Sequence, residues 1–187
     1  MKQLLLSLLC ACLALPAWAF DVGQLMGALA QHKGGRARFV EKKYIALLDK
    51  PVASSGELLY VAPDRLEKRT LQPKQELLVL DRDTLSIERG KQKYTLRLSE
   101  QPEAQAFVES VRGTLAGNRA VLERNYALRI TGNEARWSLT LLPSDQKIAT
   151  LVSRITFFGS KGMVQSIEYL LADGDRSVMT IEPMDNP

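Results

Sequence analysis

The stretch from Gly56 to Ile87, GELLYVAPDRLEKRTLQPKQELLVLDRDTLSI, constrains the fold more than any other part of the chain. Apolar residues alternate with polar ones in short runs, and Pro63, Pro73 and the Asp81-Arg82-Asp83 cluster stand where the chain must turn or break. A side-chain period of two places Leu58, Tyr60 and Leu66, then Leu78, Leu80 and Ile87, on one face of a sheet, with charged residues opposite. The pattern is a β-meander with one broad apolar face. Such a face must be covered or must hold something.

The flanking sequence continues this pattern. Asp21 precedes Val22, Leu25, Met26 and Leu29, whose spacing sets four apolar side chains on one face of a short helix that Gly34-Gly35 ends. Strand patterns follow near 36–46, 55–61, 65–71, 76–81, 84–89 and 93–99, with Pro51 and Ser54-Ser55 marking the loop between the first two. Pro102 and Glu103 open a second helix with Ala104, Phe107, Val108, Val111 and Leu115 on one side; Gly113 and Gly117 weaken and end it. Asn118 caps a third helix through Glu123. Strands then return at 126–131, 136–142, 150–158, 164–171 and 177–182, and Gly132-Asn133, Gly159 to Gly162 and Asp173-Gly174 supply hairpin turns. The total is about eleven strands and about three short helices. The fold class is mainly β within α+β. Tight hairpins and few helices favour a single, strongly curved antiparallel sheet embracing the helices over two flat sheets.

Within the meander, Gly56, Glu57, Leu58, Pro63, Leu66, Gln72, Pro73, the triplet Leu77-Leu78-Val79, Asp81, Thr84 and Leu85 form an ordered set that resembles the periplasmic outer-membrane lipoprotein carrier (LolA) family. Upstream, Phe39-x-Glu41 is similar to that family's Phe-x-Gln on the first strand. The resemblance implies an incomplete barrel closed by a helical lid, acyl chains of a lipoprotein or other lipid as cargo, an inner-membrane donor and an outer-membrane acceptor. The chain also departs from the family: Ala62 stands where an arginine usually holds the lid, and Lys68 and Ser86 stand where other residue types are usual. These departures imply a divergent branch, with glycolipids or acyl pigments among the cargoes open to it.

The first nineteen residues have the form of a cleavable secretory signal peptide: Met1-Lys2, an apolar run from Leu4 to Leu15, Pro16, and the small-x-small triplet Ala17-Trp18-Ala19. The run is shorter than the roughly 20 residues a membrane span requires. Residues 20–187 are then a single domain of 168 residues, long enough for a sizeable core, and the expected location is the periplasm. Cys10 and Cys12 both lie in the leader and form a poor lipidation signal, so the domain has neither disulfide nor thiolate. Without Lys2 the formal charge falls from +4 to +3. Lys68, Arg69 and Arg89 alternate with acids, as on a solvated surface, and export argues against nucleic acid as a partner.

Catalytic constellations are missing. His32 is the one histidine, beside Gly34 at a helix end where a surface imidazole is favourable; there is no Gly-x-Ser-x-Gly, P-loop, dinucleotide fingerprint or metal spacing. Asp173 and Asp175 suit turn formation. Alternation places Glu41, Glu57 and Glu67 outward. Neither cofactor nor metal is expected, and the chain is read as a monomer and as no enzyme. The nine aromatics Phe39, Tyr44, Tyr60, Phe107, Tyr126, Trp137, Phe157, Phe158 and Tyr169 suit a core and a cavity wall equally well. The expected acyl-binding cavity is lined by Leu58, Tyr60, Leu66, Leu78, Leu80 and Ile87 from the sheet, and by Leu25, Met26, Leu29, Phe107, Val111 and Leu115 from the helices. Gly34-Gly35 and Gly113 to Gly117 suit hinges for a movable lid. Two other readings stay open: a non-transporting interaction or sensory module with the same fold, and a lipid-modifying enzyme.

Overall fold

The computed structural model describes residues 20–184, so the expected leader, residues 1–19, lies outside the described residues. The order is α1 (Val22–Ala30), β1 (Gly34–Tyr44), β2 (Val52–Val61), β3 (Arg65–Gln72), β4 (Glu76–Asp81), β5 (Thr84–Arg89), β6 (Gln92–Arg97), a 3-10 turn (Leu98–Glu100), α2 (Pro102–Leu115), α3 (Arg119–Leu122), β7 (Tyr126–Asn133), β8 (Arg136–Pro143), α4 (Gln146–Ala149), β9 (Val152–Ser160), β10 (Met163–Leu171) and β11 (Arg176–Pro183). The strands form one antiparallel sheet in the order β6-β5-β4-β3-β2-β1-β11-β10-β9-β8-β7. Two meanders meet where β11 pairs with β1, setting Phe39 opposite Ile181 and Glu41 opposite Met179. The edge strands β6 and β7 do not pair, so the sheet stops short of a closed barrel.

Local chemistry sets the element ends. Asp21 and Gln24 form a reciprocal capping box on α1, with backbone-to-side-chain hydrogen bonds of 3.0 and 2.8 Å. Pro102 occupies the first turn of α2, and the Asn118 side chain caps α3. Asp145 accepts from Lys147 and Ile148 and starts α4, a helix the sequence reading left unassigned between the strands at 136–142 and 150–158. The second strand begins at Val52, earlier than expected, because Ser54 and Ser55 pair with Glu41 and Val40 and so join the ladder.

The helices pack against one half of the sheet. Leu25, Met26 and Leu29 of α1, Ala106 of α2, Leu122 and Ile148 meet Tyr126, Trp137, Leu139, Leu141, Ile155 and Phe157 in one buried cluster. Its polar edges are satisfied: the Trp137 indole donates to the Lys161 carbonyl at 2.8 Å, and the Tyr126 hydroxyl donates to the Ala106 carbonyl at 3.1 Å. Two glycines expected as hinges serve instead as points of close packing. Gly117 has φ +64° and sits where a Cβ would lie 2.1 Å from the Met26 carbonyl oxygen, locking the end of α2 against α1. Gly34, φ +145°, likewise lies against the Tyr60 carbonyl. Left-handed backbone costs a non-glycine residue about 1–2 kcal/mol before any clash is counted. Gly117→Ala is therefore expected to destabilise the protein by more than that amount, read as a lower urea midpoint.

Candidate functional site

The other half of the inner face is not filled. A cavity of about 650 Å³ lies between α2 and the inward residues of β1 to β5, β10 and β11. Leu58, Leu66, Leu78, Leu80 and Leu85 form its wall on the first meander, and Val164, Ile167, Met179 and Ile181 form it on the second. Phe107, Val108, Val111 and Leu115 face it from α2, whose opposite side sends Ala106, Ser110, Gly113 and Thr114 into the sealed core. The Phe107 and Tyr169 rings stack with centroids 4.9 Å apart and pin α2 to β10 at the cavity wall. Exposed residues rim both ends of the trough: His32, Gly34 and Arg36 at one, and Lys43, Tyr44 and Arg176 at the other. Its volume lies within the ~300–1,000 Å³ usual for ligand pockets.

Eight of the twelve residues expected at a lipid-binding surface come together here: Leu58, Tyr60, Leu66, Leu78, Leu80, Phe107, Val111 and Leu115. Leu25, Met26 and Leu29 do not. They are 0%, 4% and 1% exposed inside the sealed cluster, because the apolar stripe of α1 faces the second meander. Ile87 shares the inner face through its pairing with Leu78 but lies outside the lining; Leu85 is the β5 residue on the wall. The aromatics divide as well. Tyr44, Tyr60, Phe107 and Tyr169 line the cavity, whereas Phe39, Tyr126, Trp137 and Phe157 are core and Phe158 is exposed.

Glu41 overturns its expected outward orientation. It is 5% exposed on the inner face of β1, where its carboxylate accepts from Lys68 Nζ at 2.6 Å and from Ser177 Oγ at 2.7 Å. Lys43 stands 3.8 Å away. The Lys68 side chain comes from β3, two strands away. On the intervening β2, Gly56 lies opposite Phe39 and lets the β3 backbone approach closely at Arg69, and the Lys68 ammonium rests 4.9 Å above the Phe39 ring. Burial pushes the Glu41 carboxyl up, but the Lys68 hydrogen bond and charge, the Ser177 hydrogen bond and the Lys43 charge outweigh it and hold the group below its ordinary value of 4.5. Lys68 shares the parity of Leu66 on β3, and that stride is the sequence signal for this missed cluster. The Tyr60 hydroxyl, on the same wall, is buried without a partner. Asp175 accepts from the Ala46 amide at 2.9 Å and tethers the β1–β2 loop. His32 lies exposed at a rim.

Among the described residues no three His, Cys, Asp or Glu side chains gather as a metal site, and no helix is long and apolar enough to cross a membrane. An open, curved antiparallel sheet with helices filling one half and an apolar trough in the other defines a cavity-bearing β-shell. The chain belongs to the outer membrane lipoprotein carrier protein LolA-like family, whose sequence model matches residues 14–181. Among solved structures it is similar to a LolA superfamily protein from Nitrosomonas europaea, with a TM-score of 0.48 and 11% identity over 90% of this chain and 96% of that one. A chain of the Pseudomonas aeruginosa MucA/MucB complex superposes with a TM-score of 0.50 and 14% identity over 89% of this chain, which spans 58% of that one. The lipoprotein LppX of Mycobacterium tuberculosis gives a TM-score of 0.46 and 10% identity over 86% and 92%. At these identities the likeness is one of fold. No curated protein resembles the chain closely enough to count as a match.

Two outcomes follow from this geometry. Leu25→Ala is expected to cost about 2–5 kcal/mol of stability in urea, as for other core leucines, while leaving apolar-probe binding unchanged. A carboxyl whose pKa is lowered by folding contributes stability that is present above its unfolded value and lost as pH falls through its folded one. The wild type is therefore expected to lose stability with acid more steeply than Glu41→Gln, measured by urea unfolding from neutral pH down through the carboxylate range. Parallel slopes would show that the Glu41 carboxylate contributes nothing.

Proposed function

We propose that this protein is a periplasmic carrier that takes the acyl chains of a lipoprotein or other lipid into the trough and shuttles them between membranes. The observation that supports this reading is an apolar cavity left unfilled beside a well-packed core in the same sheet. Each methylene withdrawn from water gains about 0.8 kcal/mol, so a chain of some twelve supplies roughly 10 kcal/mol. Association and ordering consume an estimated 4–15 kcal/mol. At the low end of that cost about 6 kcal/mol is left, a hold weak enough for an acceptor to overcome. Membership of the carrier family supports the same reading, in which an inner-membrane donor would load the protein and an outer-membrane acceptor would empty it. In this reading residues 1–19 direct export, residues 20–187 act as one monomeric domain, and the protein performs no chemistry on its cargo.

Leu78 lines the wall and is half-buried, so a carboxylate there would have to be desolvated by any chain that enters. Leu78→Glu is expected to weaken uptake of a fluorescent fatty acid by at least about tenfold, equivalent to about 1.4 kcal/mol, without impairing secretion. Undiminished uptake by the folded variant would refute the cavity assignment. Native mass spectrometry of protein from its own periplasm, before and after solvent extraction, is expected to release a lipid in stoichiometric amount.

A further inference from the structure

We propose that Lys68 is the head-group residue of the cavity, holding the anionic oxygen group of a single-chain acyl ligand whose hydrocarbon lies along Leu58, Leu66, Leu78, Leu80 and Val111. The inference rests on the carrier reading and narrows it to cargo with an acidic oxygen head, a carboxylate or a phosphate.

The starting point is an ion pair in an unfavourable place. Taking both charges out of water costs several kcal/mol for each ion, and a buried pair commonly returns no more stability than apolar residues of the same volume. Stability alone therefore does not account for Lys68 and Glu41 on a wall otherwise built from leucine. A purely structural tie between β3 and β1 would bury both partners. Here the Glu41 side chain is 6% exposed but that of Lys68 is 27% exposed, and Lys68 lines the cavity. An ammonium carries three donors, and Glu41 takes one of them at 2.6 Å. The other two are available to acceptors on a ligand.

The charge balance at this end of the trough selects the sign of that ligand. Lys43 and Lys68 share the inner face with Glu41 and approach its carboxylate at 3.8 and 2.6 Å. Glu67, also on the lining, is paired with Arg65 at 2.5 Å, and one Asp175 oxygen is taken by the Ala46 amide. Two ammonium groups beside the Glu41 carboxylate favour an anionic head over a cationic one. Lys43 is exposed at the rim, where its charge draws an anion toward the end at which Lys68 waits inside. Register sets Lys43 and Ser177 on the same face as Glu41, whereas Tyr44 and Arg176, one residue further on, pair on the opposite face, where the Arg176 guanidinium lies 4.5 Å over the Tyr44 ring. Beyond them the wall is mainly apolar, with Tyr60, Phe107 and Tyr169 among its aliphatic side chains.

The test is displacement of N-phenyl-1-naphthylamine, an uncharged apolar fluorophore, by palmitate, hexadecyl phosphate and hexadecanol, which share one chain length. Wild-type protein is expected to bind at least one of the two anions about tenfold more tightly than the alcohol, as for a hydrogen bond to a charged group. The better anion tells a carboxylate source from a phosphate source. In the Glu41→Gln, Lys68→Met double variant, which removes the buried ion pair and leaves Lys43 exposed to water at the rim, the preference for anion over alcohol is expected to disappear, each competitor being measured against that variant's own affinity for the fluorophore. Lys68→Arg is expected to keep it. Equal affinity of the wild type for anions and alcohol overturns the proposal without touching the carrier reading, and needs no variant to fold. A preference that survives the double variant overturns it too. Failure of the wild type to bind the fluorophore or any of the three competitors would remove the carrier reading along with it.

Discussion

The structure depends on a mismatch between the area of one sheet and the area of its helices. Every strand must alternate inward and outward, so eleven strands present a large apolar inner surface. The four short helices among the described residues, the longest of 14 residues, cannot cover it. They cover the second meander, where Trp137, Leu139, Leu141, Ile155 and Phe157 are all at most 1% exposed. The first meander is left with Leu58, Leu66 and Leu78 half-buried, facing one side of α2 across open space. Stability and binding are thus segregated along a single sheet.

That segregation explains which parts of the molecule the sequence reveals. Alternation and turn residues locate all eleven strands, because period two and the glycine and proline breaks are local properties of the chain. The short meander helix after Asp145 is hidden, since four residues give no helical period to detect. An apolar stripe announces that a helix buries one face but not what it meets: Leu25, Met26 and Leu29 look the same in sequence whether they seal a core or line a void. The aromatics are ambiguous for the same reason, and only the position of α2 sorts Phe107 and Tyr169 from Tyr126 and Trp137. Glu41 is a different case. The expectation that a glutamate in a strand faces water is a rule about solvation, and the register of β1 overrules it by placing Glu41 in line with Phe39. Lys68, in line with Leu66 on β3, then becomes its partner across the intervening β2.

Glycine positions bear on how the trough is opened. A swinging lid needs a segment that can change its dihedral angles freely, and Gly34-Gly35 and Gly113 to Gly117 are where the sequence suggests one. Gly117 is pressed against the Met26 carbonyl and Gly113 against Leu122, so α2 is fastened to α1 and α3, and α1 belongs to the sealed core. Motion of α2 alone would break that packing. The trough is instead already formed, with exposed rims at both ends, and a chain can enter along its axis without first separating helices from sheet. Preorganisation of this kind saves the cost of opening, which raises affinity for every apolar chain alike.

Indiscriminate affinity is a liability for a carrier, and the polar cluster supplies the counterweight. A chain with no acceptor at its end, laid against Lys68 and Glu41, removes water from an ion pair and gives nothing in return, so part of its hydrophobic gain is lost. A chain that ends in an anionic oxygen replaces that water with hydrogen bonds and recovers the loss. The same two side chains therefore penalise the wrong ligand and reward the right one, which is how specificity arises as a difference of affinities within an otherwise greasy pocket. Release follows the same logic: whatever withdraws the head group from Lys68 at the rim leaves the remaining chain against a desolvated charge pair, and the hydrocarbon alone holds less tightly than the whole molecule did.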